Sequence, residues 1–250
     1  MKNFSYLLDS IDRDLLWRIK DGQHIFDIIP YTVGKNDPDL QEGEVSYVLN
    51  LLVHYMIGKN KQTVICRKTW NKCCPICDMA DTLKRQSEGK SILDVLSWRR
   101  LRPKKRCLYN VIVRDTKAME CNGIMLLEIS HYFSERIFLE LASPNCQIPE
   151  LDTIQPSIDE VLDYIKDLYF YKEEPMIVYS DPEEGKSISF RRMGSGSKML
   201  RNVLTSFVDR PRPISNHILD EAYCLDAIIK IPSFSEVYES IFSGETSNNT

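Results

Sequence analysis

Apolar side chains recur along this chain with two periods, and the switch between them predicts most of its elements. Phe4, Leu7, Leu8, Ile11, Leu15, Leu16 and Ile19 follow the 3.6-residue helical spacing and predict an amphipathic N-terminal helix within residues 1–24. His24 to Val33 reads as strand and is followed by the turn chemistry of Gly34-Lys35-Asn36-Asp37-Pro38. From Val45 to Ile57 every odd position is apolar (Val45, Tyr47, Leu49, Leu51, Val53, Tyr55, Ile57), the period-2 signature of one long strand. His54 falls on the opposite, more polar face. The alternation therefore assigns Tyr47 and Tyr55 to the core and predicts that anything built around His54 hangs outside the sheet.

Further on, Asp78 to Glu88 predicts a short helix, and Cys107 to Asp115 with Gly123 to Ser130 a strand pair. Tyr132 to Leu141 predicts a helix, Pro144 to Pro156 a linker and Ile158 to Tyr171 another helix. A second hairpin is expected from Met176–Tyr179 and Ser187–Met193 around Asp181-Pro182-Glu183-Glu184-Gly185, then a strand at Asn202–Val208. Beyond Arg210-Pro211-Arg212-Pro213 the pattern predicts helix over Asn216–Ile229, a break at Ile231-Pro232-Ser233, a short helix over Ser235–Phe242 and a frayed polar end. Short antiparallel strands with helices inserted among them predict a mainly β, α+β fold built on a small, partly open barrel, since strand and helix do not alternate regularly. The expected organisation is a helical segment at 1–24, a β core at 25–210 with a metal-bearing insert at 54–90, and a helical, mildly acidic segment at 211–250.

Composition narrows this picture. The chain has 250 residues, 43% of them hydrophobic, which is ample for a core. No apolar run approaches the roughly 18 to 20 residues of a membrane span, and Met1-Lys2-Asn3-Phe4-Ser5 has no secretory-signal character, so a soluble intracellular protein with no membrane partner is expected. Eight cysteines in such a compartment read as metal ligands and buried thiols, with Cys107, Cys121, Cys146 and Cys224 scattered singly and read as core or neutral positions. The net charge is −4, but its distribution is uneven. Arg99, Arg100, Arg102, Lys104, Lys105 and Arg106 stand together with no acid between Asp94 and Asp115, while acid dominates Glu140 to Glu184 and the last forty residues. One basic groove on an otherwise acidic body suits selective binding of a polyanion.

Two constellations carry chemistry. His54, eleven residues, Cys66, seven residues, then Cys74-Pro75-Ile76-Cys77 supplies three thiols and one imidazole, a complete tetrahedral shell for one structural Zn2+. Four protein ligands leave no position for substrate or activated water, which argues against an enzyme. Cys73 is an alternative ligand, but using it would spoil the two-residue turn of the Cys-x-x-Cys. A dithiol redox centre at Cys74-Pro75-Ile76-Cys77 would need a βαβ context with the first Cys at a helix N-terminus, and neither is expected here. A hydrolytic or deaminating zinc site would need an open position and a nearby carboxylate, which His54-Tyr55-Met56 does not supply. No Gly-rich Lys-Ser/Thr loop for nucleoside triphosphates is present either.

The second constellation is the basic run from Trp98 to Arg106, feeding into Tyr109 and Arg114. Ser189-Phe190-Arg191-Arg192 repeats the theme before Gly194-Ser195-Gly196-Ser197-Lys198. Lys and Arg suit phosphates and aromatic faces suit unstacked bases, so alternation of the two predicts a groove for single-stranded nucleic acid. Tyr31, Trp70, Trp98, Tyr109 and Tyr132 are the further candidate stacking platforms. The competing expectation is an interaction or transcription-accessory protein that docks partners through the zinc module.

In the order of His54, Cys66, Cys74-Pro75-Ile76-Cys77, the basic stretch and Tyr109-Asn110-Val111-Ile112-Val113-Arg114-Asp115, the chain resembles the zinc-containing single-stranded DNA-binding (helix-destabilising) proteins of T-even-type bacteriophages and their relatives. Asp27-Ile28-Ile29-Pro30-Tyr31 and Ile231-Pro232-Ser233-Phe234 add to the likeness, which spans roughly residues 25 to 235. The resemblance implies an oligonucleotide-binding (OB) barrel with a zinc subdomain that coats unpaired DNA during viral replication, recombination and repair, in the cytoplasm of an infected host cell. It implies His54, Cys66, Cys74 and Cys77 as zinc ligands. The DNA contacts it implies lie between Arg99 and Arg114, and the residues extend them to Tyr132, Phe190, Arg191, Arg192 and Lys198. It also implies self-association on DNA and replisome or recombination partners reached through the C-terminal segment. The chain departs from the family at both ends: Asp9, Asp12 and Asp14 stand where a basic arm is found, and the terminal stretch is short and only mildly acidic.

Overall fold

The computed structural model describes residues 15–87, 92–142, 178–194 and 201–242, with the side chains of 92–96, 201 and 242 excepted. The expected helix over the first twenty residues does not run to Ile19: Leu16 makes a parallel bridge to Leu126, and the Trp17 N–H donates to the Leu126 carbonyl. Its first fourteen positions lie outside the described residues, as do the expected linker at 144–156, the helix at 158–171, Lys198 and the polar end.

The expected strand from His24 to Val33 forms as β1 (Gly22–Ile29) and the two-residue β2 (Tyr31–Thr32), divided at Pro30, which has no N–H to offer a ladder. The long strand from 45 to 57 is likewise divided into β3 (Val45–Ser46) and β4 (Leu49–Ile57). Here the Ser46 hydroxyl bonds both the carbonyl and the N–H of Val48, diverting backbone groups from a continuous ladder. β5 (Gln62–Ile65) closes a hairpin with β4, followed by a 3-10 turn over Arg67–Trp70, then α1 (Pro75–Gln86) and α2 (Ile92–Leu101). β6 (Lys104–Val113), α3 (Lys117–Glu120) and β7 (Met125–Ser130) come next. A π turn over His131–Glu135 leads into α4 (Arg136–Ala142). β8 (Lys186–Met193), β9 (Arg201–Asp209), α5 (Asn216–Asp220), α6 (Leu225–Ile228) and α7 (Phe234–Phe242) complete the order.

The fold is α+β with a seven-stranded antiparallel sheet in the order β5-β4-β6-β1-β8-β9, and β7 paired to β6 off that path. β6 organises it. Its first half pairs with β4 (Val53↔Lys104 to Leu49↔Leu108) and its second half with β1 on the same edge (Ile29↔Asn110 to Phe26↔Val113). β7 takes the other edge, from Arg106↔Ser130 to Val111↔Met125. Among the described residues no pairing joins the outer strands into a closed barrel.

Both faces of the sheet are covered. Phe26, Ile28, Tyr109, Val111, Leu127, Ile188 and Phe190 pack with Phe138 and Tyr179 on one side. Tyr31, Leu49, Leu51, Val53, Leu108 and Leu126 pack with Leu225 and Ile229 on the other. Of the second expected hairpin, Met176 and Ile177 lie outside the described residues; residues 178–180 make a turn, and β8 pairs with β1 and β9. The expected helix over 216–229 is split because its middle is engaged elsewhere. The Tyr223 carbonyl accepts from Asn110, and the buried Asp226 accepts the N–H groups of Gly34 and Asn36. The C-terminal stretch is thus built into the body through Ile214, Leu225, Ile229 and Val237.

Candidate metal centre and the basic face beside it

Four local devices bring His54, Cys66, Cys74 and Cys77 together. The β4–β5 hairpin pairs His54 with Val64, so Cys66, just beyond β5, returns beside His54. A bulge between His54 and Ile57, with Met56 in the left-handed region at φ 60°, re-aims the strand there. Asn71, at φ 54°, closes the 3-10 turn that leads to Cys74. Cys74 is the N-cap of α1, Pro75 occupies the position where a missing N–H costs nothing, and Cys77 lies in the first turn. The helix therefore starts inside the Cys-x-x-Cys, ahead of the expected start at Asp78.

All four side chains are buried, and their ligand atoms lie within 4.8 Å of one another. Cys66 Sγ is 3.5 Å from Cys77 Sγ, and His54 Nε2 is 3.4 Å from Cys74 Sγ and 3.7 Å from Cys77 Sγ. These are the edges of a tetrahedron whose centre stands about 2.3 Å from sulfur and about 2.1 Å from nitrogen. The other imidazole nitrogen, Nδ1, is 2.7 Å from the Leu101 carbonyl, the second bond that orients a ligating histidine and leaves Nε2 facing the thiols. This cluster can hold a metal ion. Cys73 is exposed and apart from it, as the two-residue spacing implied.

Hydrogen bonds from Cys66, then Cys77 and His54, hold Cys74 well below the usual thiol range, while bonding to Cys74 and Cys77 together with burial pushes Cys66 up. Cys74 does sit at a helix N-terminus, which the dithiol reading required and the sequence did not suggest. Its neighbours are two more metal-binding side chains, and no βαβ unit surrounds it. The cluster is also not a bare outer insert: Leu52, Val64, Leu101, Ile76, Val237 and Ile241 form a small apolar core around it, with α7 as its cover.

The basic run is not one loop. Arg99 and Arg100 close the last turn of α2, where cations complement the helix dipole, and Lys104 opens β6. Lys84, Arg99 and Arg102 surround the Trp98 ring at 5.6, 5.5 and 5.4 Å from its centroid. Lys104 lies over Tyr55 at 5.9 Å. Tyr55, expected in the core, is half-buried and packs at the edge of the Leu49, Leu51 and Val53 cluster. Arg102 is paired with Asp81 at 2.9 Å, Arg106 with Glu128, and Lys105 is half-buried. Ser130 stands opposite Arg106, so Tyr132 and Phe133, 51% and 72% exposed, emerge from the same end of the sheet as the basic run.

Four expected contacts lie elsewhere. Tyr109 and Phe190 have no exposed surface and belong to the core; the alternation of Cys107, Tyr109, Val111 and Val113 already carried that signal. Arg114 is largely withdrawn from solvent, its side chain 9% exposed, with Nε 2.8 Å and one terminal nitrogen 2.7 Å from Asp27 Oδ2, and the other bonded to Glu120, so it braces β1 against β6. Arg192 is half-buried and donates to Asn202 across the β8–β9 pair, while Arg191 is exposed. Trp98 was among the expected stacking platforms; Lys84 and Phe133 were missed as site residues, although the Tyr132-Phe133 doublet was visible. Among the described residues no helix is long and apolar enough to cross a membrane. The chain matches no protein-family model and has no significant match among curated proteins.

Proposed function

We propose that this protein binds single-stranded DNA non-enzymatically, on a sheet of the open oligonucleotide-binding type, with one structural zinc ion in the His54, Cys66, Cys74, Cys77 cluster. The observation that carries this reading is the Trp98 ring held among Lys84, Arg99 and Arg102 on the α1–α2 wall that the cluster anchors. A flat aromatic face ringed by cations offers stacking to a base and charge to its phosphates. Tyr132 and Phe133, at the same end of the sheet, extend the path. Zinc supplies no reaction there; it ties β4, β5 and α1 together and so sets the wall.

Titration of a labelled oligonucleotide at several salt concentrations tests the proposal. Single strands are expected to bind more tightly than duplex, with log K falling against log salt by about 0.7 for each phosphate neutralised. Equal affinity for both forms, or affinity independent of salt, rejects it. A second reading, a partner-docking module, is favoured by the stacked pair Phe234 and Tyr238, 45% and 50% exposed on α7 above the cluster. On that reading a Tyr238→Ala chain loses a protein partner and keeps its DNA affinity.

A further inference from the structure

On the face of the sheet that carries Tyr109, Cys107 meets a second histidine and a carboxylate. Cys107 and Glu135 have no exposed surface and His131 has 7%. Cys107 Sγ donates to Glu135 Oε2 at 2.6 Å, His131 Nδ1 is bonded to the same oxygen, and Sγ lies 3.9 Å from Nδ1. Asn50, reaching over from β4, places Oδ1 3.5 Å from Sγ. His131 and Glu135 are the two ends of the π turn, in which the Arg136 N–H reaches back five residues to the His131 carbonyl. π turns are rare, carry poorer hydrogen-bond geometry than α-helix and recur at functional sites. This one overlays the imidazole and the carboxylate on a buried thiol.

We propose that Cys107, His131 and Glu135 form a second metal site, for a zinc-class divalent ion, with Asn50 Oδ1 as fourth donor. Thiolate, imidazole and carboxylate are zinc ligands and come here from β6 and the π turn, while Asn50 on β4 brings a neutral oxygen beside the thiol for the fourth position. A thiolate and a carboxylate balance a divalent ion, and metal binding releases to solvent the protons that the free donors hold. The 3.9 Å between thiol and imidazole is close to the span of two ligands on one tetrahedral ion, and the carboxylate oxygen between them swings aside to take the third bond. The site is independent of the first cluster and of the DNA-binding reading.

The test is metal stoichiometry on the full chain, reduced, stripped by a chelator and titrated with Zn2+. Two equivalents per chain are expected, and Cys107→Ser and His131→Gln should each lower this to one. In both variants, cobalt in the first cluster should keep the intense absorption of its three thiolates. Binding of one or two equivalents that survives both substitutions unchanged overturns the proposal. If a substitution unfolds the chain, which loss of the first-cluster cobalt absorption would report, zinc X-ray absorption of the unsubstituted, zinc-saturated chain decides. An average of two sulfurs per zinc supports the second site, and three overturns it.

Discussion

Asp27 has no exposed surface, yet its carboxylate meets Arg114 on one oxygen and the Ser187 hydroxyl on the other, with Arg210 Nε 3.4 Å away. A charge held this way is part of the fold, and removing one partner leaves the other unpaired out of water. Arg114→Ala is therefore expected to lower unfolding free energy by about 3 kcal/mol, measured by urea titration, while leaving DNA affinity relative to folded protein unchanged. Trp98 is the opposite case, half-buried on a surface helix with cations around it. Trp98→Ala should leave the urea midpoint nearly unchanged and, on the proposed function, cost about 1 to 3 kcal/mol of single-strand affinity, read by anisotropy titration. In sequence both residues belong to one cationic, aromatic stretch. What separates them is Asp27, a distant residue that β1–β6 pairing brings to Arg114.

At the scale of elements, α7 shows how a surface helix governs a buried site. Its start is a reciprocal cap: the Glu236 N–H bonds the Ser233 hydroxyl and the Ser233 N–H bonds Glu236, which also accepts from Lys230 at 2.6 Å. Its apolar side, Val237 and Ile241, lies on the cysteine cluster. Ser233→Ala is expected to cost about 0.5 to 2 kcal/mol. Bonding to Lys230, then to Ser233, holds the Glu236 carboxyl at about 2, below its ordinary range. Because the folded value is the lower one, this contribution is complete above the unfolded pKa of about 4.3 and disappears as pH falls through about 2. The stability difference between the parent chain and Glu236→Gln should therefore be widest near neutrality and close in that acid window, measured by chemical denaturation at each pH. This cap was legible in Ser233-Phe234-Ser235-Glu236. Helix α2 was equally legible, since cations in a last turn followed by Pro103 are a helix-stop signal, but the charges drew attention to binding instead.

For the whole molecule, the metal cluster is a small satellite core beside a sheet buried on both faces, so the two should lose structure separately. Removing metal under reducing conditions is expected to lower the melting temperature. Amide protection should be lost first in β5 and α1 and only later in β1, β6 and β8, followed by hydrogen exchange. In small isolated sites, zinc contributes on the order of 10 kcal/mol to folding; here the loss should be smaller, because Leu52, Val64, Val237 and Ile241 still pack without it. On the proposed function, single-strand affinity should fall with the α1–α2 wall. The sequence alone singled out the four residues that cluster, and Cys74 over the exposed Cys73, because a Cys-x-x-Cys turn acts over four residues. It also determined which positions of β4 and β6 alternate, because the pleat has a period of two whatever lies nearby. Only the tertiary structure decided what each alternating face meets. β6 is covered on both faces and pairs with β4, β1 and β7, which turns Tyr109 into core, Arg114 into a brace and Cys107 into the neighbour of His131 and Glu135. Burial depends on partners brought from far along the chain, and no local period records them.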